Sequence, residues 1–205
     1  MLKTLEYVCY FMKEIIEIKR KEFEVIEKIG DRSYKVERKG KAYFLKKFEN
    51  DIKGFQSIIK NQEILRNSGY TMPKVYMWDK GSNIFVTDYI EGENIFDILV
   101  EKDLDEAILE ELFRMAYYQK TFRNAIDFDP INFKFSDGKL YYLPYKMVSF
   151  DPRRDFLVKD LPYWFFTKDF VKLAHSRSAD VDESRLLNDF EMNKKMTLIA
   201  IKYYR

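Results

Sequence analysis

The sequence predicts an α+β fold: an antiparallel sheet with one or two helices in the first 90 residues, then a mostly helical remainder. Three observations carry this. Between about residues 22 and 49, apolar and polar residues alternate in short runs separated by turn formers, the period-2 pattern of half-buried strands. Residues 52–67 and 104–122 carry apolar side chains at helical spacing instead. Asp137–Gly138 separates two short strand-like runs, and this dipeptide supplies the positive φ values that a tight hairpin needs.

In chain order, residues 4–20 set Leu5, Val8, Cys9, Phe11, Met12, Ile15 and Ile16 against Lys13, Glu14 and Lys19, which predicts an amphipathic helix. Strands follow over 23–29, 33–38 and 42–48, the last two joined by a Lys39–Gly40 turn. Ile52, Phe55, Ile58, Ile59 and Leu65 mark a helix over 52–67, with Gly69 as its stop. Strands over 73–78 and 84–88 flank a turn at 79–82 and complete an N-terminal domain of residues 1–90. In the C-terminal domain, 91–205, a helix over 104–122 carries Ile108, Leu112, Met115, Ala116 and Gln119 along one face. The hairpin pairs 133–135 with 140–143, and helices over 161–176 and 182–203 close the chain, with Asp180 and Glu183 at capping-box spacing.

With 205 residues, 46% of them hydrophobic and 17% aromatic, the chain can bury a sizeable core in one domain or two close-packed lobes. Its 36 basic and 34 acidic residues nearly cancel, so no global field draws it to nucleic acid or an anionic membrane. A single cysteine, Cys9, excludes an internal disulfide framework. One Cys and one His, His175, cannot supply an ordinary zinc site, and His175 reads as a cation near a helix end. No run approaches the roughly 18 apolar residues of a spanning helix, and the first residues lack signal-peptide features. A cytoplasmic protein is the expectation.

The most informative stretch is Asp127-Phe128-Asp129-Pro130-Ile131-Asn132, just before the hairpin. An Asp and an Asn five positions apart, between a helix and a hairpin, match the D-x-x-x-x-N loop of kinases. Asp, Pro and Asn are also ordinary turn formers, so the spacing alone fits a structural loop. With its internal proline, the run resembles the D-[LI]-[HN]-P-x-N loop of aminoglycoside phosphotransferase-like and choline-kinase-like enzymes.

The resemblance covers roughly 22–150 and rests on the order of several segments. It implies a protein-kinase-like two-lobed fold, with an N-terminal antiparallel sheet and a mostly helical C-terminal lobe. Lys46, in Tyr43-Phe44-Leu45-Lys46-Lys47-Phe48, takes the place of the strand lysine that reaches nucleotide phosphates. Strand alternation puts Lys46 with Phe44 and Phe48, pointing inward, and Lys47 on the other face as a solvated lysine. Glu63, in the next helix, stands where the family carries the lysine's glutamate partner. Thr71-Met72-Pro73-Lys74-Val75 resembles the family's x-x-P-x-V segment. Phe85-Val86-Thr87-Asp88-Tyr89-Ile90-Glu91-Gly92 resembles the hinge, with backbone near Asp88 and Tyr89 facing adenine. By the same resemblance Asp127 is the catalytic base, Asn132 a magnesium ligand, and Gly30 and Ser33 part of the phosphate-covering loop.

The pattern also departs from the family. Gly30 is the only glycine in the phosphate-covering loop, and Asp31 beside it is unfavourable near anionic oxygens. Ala125 stands where the family has histidine. Pro144 occupies the position of the metal-binding aspartate that follows the hairpin, and proline offers magnesium no side-chain oxygen. Lys146 and Asp151 are candidates to replace it. Arg153 and Arg154 suit an anion, but as a pair they fit a solvated surface turn better. The expected function is therefore an ATP- and magnesium-dependent phosphotransferase of open acceptor. The alternative is a pseudokinase-type module that binds nucleotide or protein without catalysis.

Overall fold

The structure is a computed structural model that describes residues 14–203 except Arg154, and its fold is α+β. Cys9, the first ten residues of the expected N-terminal helix, and Tyr204 and Arg205 lie outside the described residues. Contacts divide the chain into two compact units, Met1–Phe55 with Lys74–Tyr89, and Gln56–Pro73 with Ile90–Arg205.

The first unit is built on a six-stranded sheet of β1 (Ile15–Ile18), β2 (Lys21–Gly30), β3 (Ser33–Arg38), β4 (Lys41–Lys47), β5 (Val75–Asp79) and β6 (Ile84–Asp88). Its order is β1-β2-β3-β4-β6-β5, antiparallel throughout. Alternation along β3 and β4 sends Val36, Tyr43 and Leu45 to one face, where they bury with Ile16, Ile18, Phe23, Ile84 and Val86. Pairing of Ser33 with Lys46, and of Lys46 with Phe85, puts these three on the opposite face.

β1 corrects the expected helix over 4–20, because Ile15–Ile18 pairs with Lys21–Glu24 as an edge strand. Ile16 and Ile18 are buried while Ile15 is exposed, a two-residue period too short to outweigh the helical spacing of the same apolar residues. The turn joining β1 to β2 uses Lys19 and Arg20, both at positive φ, so it lacks the Gly or Asn that advertises such a turn. By contrast, Asp137 and Gly138 take φ of 49° and 71°, as expected for the other hairpin.

Helix α1 (Ile52–Asn67) gives its first turn to the first unit and the rest to the second. The second unit adds β7 (Glu93–Asn94), α2 (Ile95–Glu101), α3 (Glu106–Phe122), β8 (Phe133–Ser136), β9 (Lys139–Tyr142), α4 (Phe156–Lys159), α5 (Lys168–Ser176) and α6 (Asp189–Tyr203). β7, β8 and β9 form a three-stranded sheet, so the expected hairpin has a third strand. Gly92 makes this possible: at its φ of +131° a Cβ would lie 2.3 Å from the Phe135 carbonyl oxygen. α2 was not expected; Asn94 caps it by accepting from the Phe96 N–H.

The expected helix over 161–176 is split into a 3₁₀ turn, Leu161–Trp164, and α5, whose cap Thr167 accepts from the Phe170 N–H. The last helix starts at Asp189 rather than 182. Asp182 caps only a 3₁₀ turn, whereas Asn188 and Glu191 exchange the hydrogen bonds that start α6. No helix among the described residues is long and apolar enough to cross a membrane.

The core of the second unit is aromatic. Phe133 is fully buried, with its ring 5.0 Å from Trp164, 5.2 Å from Tyr142 and 6.0 Å from Phe128. Phe133→Ala should therefore destabilise the protein by about 3–5 kcal/mol. Urea unfolding monitored by Trp164 fluorescence measures this, and an unchanged midpoint would show that Phe133 does not anchor this core.

Candidate functional site

The Asp127–Asn132 segment enters from α3 and leaves into β8, and almost every polar group along it has a partner. At its entry, the Ile126 N–H donates to Gln119 Oε1 at 3.1 Å. Asp129 Oδ1 accepts from the Ile131 N–H at 3.1 Å and so caps the 3₁₀ turn Pro130–Asn132. The Asp129 N–H in turn donates to Asp127 Oδ1 at 3.2 Å, and Asn132 Nδ2 donates to the Asp127 carbonyl at 3.3 Å. Asp127 and Asn132 are thus brought together, both half-buried. Among the described residues, nothing donates to Asp127 Oδ2 or to Asn132 Oδ1.

Four side chains from distant positions pin the segment from outside. Trp164 Nε1 donates to the Phe128 carbonyl at 2.8 Å, and Asn94 Nδ2 donates to the Ile131 carbonyl at 2.8 Å. Tyr142 Oη lies 3.5 Å from the Asp127 N–H and donates to the Lys146 carbonyl at 2.7 Å. Arg177 bonds both carboxylate oxygens of Asp129, one at 2.9 Å. Sequence reasoning missed all four as parts of the site. Only Asn94 had a local signal, as a helix cap; the other three act across 15 to 48 residues of chain.

The segment after β9 tests the expected metal. Pro144 brings no oxygen, and Tyr145, at φ 51°, turns inward and is buried. The Tyr145 hydroxyl donates to the Pro73 carbonyl, and its own carbonyl accepts from Asn61 Nδ2 at 3.3 Å. Lys146 is exposed. Asp151 is held by Arg153 through a backbone bond of 2.9 Å and a guanidinium bond of 3.1 Å, and these bonds keep its carboxyl below the usual range. Among the described residues no three His, Cys, Asp or Glu side chains gather. Asn132 can offer magnesium one oxygen, and Pro144 gives no side-chain oxygen where the resemblance implies the second ligand.

In the first unit, Gly30, Ser33 and Lys46 come together: Gly30 pairs with Ser33 at the end of the β2–β3 hairpin, and Ser33 pairs with Lys46. Lys46 Nζ lies 5.3 Å from the Phe48 ring centroid. Lys47, on the opposite face, lies 5.0 Å over Tyr34 beside the buried cluster. A Cβ at Gly30 would meet nothing closer than Ser33 Cβ at 3.9 Å, so the local backbone does not demand glycine there. At the expected hinge, the Asp88 N–H donates to the Lys74 carbonyl at 2.8 Å and the Tyr89 N–H to the Ala42 carbonyl at 3.4 Å. Both donors are engaged within the unit, while the Asp88 carboxylate pairs with Lys41 at 2.8 Å and Lys35 lies 4.3 Å over the Tyr89 ring. Glu63 is exposed on α1, in the second unit.

Burial pushes the phenols of Tyr142 and Tyr70 above their ordinary value of 10.0, because an apolar surrounding disfavours the phenolate. A raised folded-state value stabilises the fold below the unfolded value, and that contribution is lost as pH rises past it. Stability should fall steadily above about pH 10, and Tyr142→Phe should flatten the fall. Urea midpoints from pH 8 to 11 measure this, and equal alkaline slopes in the two proteins would refute it. No family model matches this chain, and no curated protein matches it.

Proposed function

We propose that this chain is a small phosphotransferase domain of the protein-kinase-like, two-lobed class, which moves a phosphoryl group from ATP to a hydroxyl-bearing acceptor. One observation carries the reading: Asp127 and Asn132 are locked together, with one oxygen of each accepting from nothing among the described residues. Asp127 Oδ2 takes the acceptor's hydroxyl proton as the acceptor oxygen bonds to the γ-phosphorus and the bond to the leaving ADP breaks. Asn132 holds the Asp127 backbone and so fixes where that carboxylate stands.

Further support is the order of segments: a strand meander bearing Lys46, a helix bearing Glu63, two strands, a long helix, the Asp127–Asn132 segment and a hairpin. Gly30, Ser33 and Lys46 on one sheet face suit a triphosphate, whereas Glu63, Asp88 and Tyr89 stay in the proposal on the resemblance alone. A cytoplasmic setting, drawn from the cysteine usage, belongs to the same proposal.

Pro144 and the buried Tyr145 favour a second reading, in which a pseudokinase-type module binds nucleotide or a protein without turnover. Thermal unfolding with ATP, with and without magnesium, separates the two. Nucleotide at 100 times its dissociation constant adds about 2.7 kcal/mol, a shift of a few degrees. A magnesium-dependent shift together with phosphate release from ATP supports the phosphotransferase. A metal-independent shift without release supports a nucleotide-binding module, and no shift at millimolar ATP removes the phosphotransferase and leaves the module only as a protein binder. Asp127→Asn should abolish release and leave the ATP shift in place; undiminished release would take the base role from Asp127.

A further inference from the structure

We propose that Arg177 is a positioning residue for Asp127, acting through Asp129; the inference rests on the phosphotransferase reading only for its kinetic consequence. The segment carries two carboxylates, two residues apart and both half-buried, and chemistry at Asp127 needs just one of them open. Arg177 makes that distinction. Its guanidinium takes Asp129 with two parallel hydrogen bonds, the fork geometry in which arginine recognises a carboxylate best.

The arginine is itself held. It is the C-cap of α5, its backbone N–H bonds the last turn, and its guanidinium lies 5.1 Å from the Phe96 ring on α2. Only a quarter of the side chain is exposed, so water screens this pair less than a surface one. Once clamped, Asp129 caps the 3₁₀ turn through Oδ1 and presents its N–H to Asp127 Oδ1. This N–H orients the Asp127 carboxylate through Oδ1, and among the described residues nothing donates to Oδ2. Arg177 therefore does two things: it cancels the charge of the second carboxylate, and it sets the rotation of the first without touching a reactant.

The test uses the full chain as wild type, Arg177→Lys, Arg177→Met and the double variant Arg177→Met/Asp129→Asn, each checked for a native circular dichroism spectrum. Amide hydrogen exchange at Ile131 and Asn132, and phosphate release from ATP, are read together. In Arg177→Met these amides should exchange about tenfold faster while amides of β3 and β4 keep wild-type rates. Release should fall in kcat with KM for ATP unchanged. Arg177→Lys should recover part of both, and so should the double variant, which removes the uncompensated charge.

Wild-type exchange in folded Arg177→Met overturns the clamp, as does failure of the double variant to recover. If Arg177→Met fails to fold, the lysine variant decides by the same exchange readout, with wild-type rates again overturning the clamp. A wild type that forms no ADP from ATP, with water or a hydroxyl-bearing acceptor, counts against the phosphotransferase reading alone, and the exchange result still decides the clamp.

Discussion

A backbone segment that leaves regular structure beside a packed core must still find partners for every N–H and carbonyl, because a buried unpaired group costs about 1–3 kcal/mol. The Asp127–Asn132 segment lies under this constraint. Its Phe128 is buried with Phe133, Tyr142 and Trp164. The protein supplies partners from Asn94, Trp164 and Tyr142, while Arg177 holds the Asp129 carboxylate. Rigidity at the candidate site is thus a by-product of polar satisfaction near an aromatic floor. Trp164 shows the coupling directly, since one side chain fills the core with its ring and holds the segment with its indole N–H.

The same packing holds the segment after β9 through Tyr145. Tyr145 is drawn into the second unit by burial, and its hydroxyl and carbonyl are both satisfied there. Pro144, immediately before it, has neither a donor nor an oxygen-bearing side chain to turn outward. The departure from the kinase-like pattern is therefore a local fold with its own core residue. Asp151 belongs to a separate exposed turn with Arg153.

Much of the fold was legible from the chain. Strands β2 to β4 and helices α1 and α3 followed from periodicity, and β5 and β6 from the turn formers at 79–82 between them. β1 was not legible, since four residues show one and a half periods and its turn uses Lys19 and Arg20 at positive φ. α2 was missed for a related reason: its single-turn start depends on Asn94, and β7 depends on a close approach at Gly92. Within the candidate site, the pairing of Asp127 with Asn132 was readable from their spacing, whereas the Asp129–Arg177 pair was not.

The sequence by itself determined which candidate residues come in which order, because residue type and spacing carry that information locally. It determined that Asp127 and Asn132 share one short loop and that Pro144 offers a metal no side-chain oxygen. Tertiary structure alone decided which carboxylate Arg177 takes, that the Asp88 and Tyr89 amides are spent on the sheet, and that Tyr145 turns inward. Each of these depends on partners far away in the chain, and hydrogen bonding and burial are settled by distance in space.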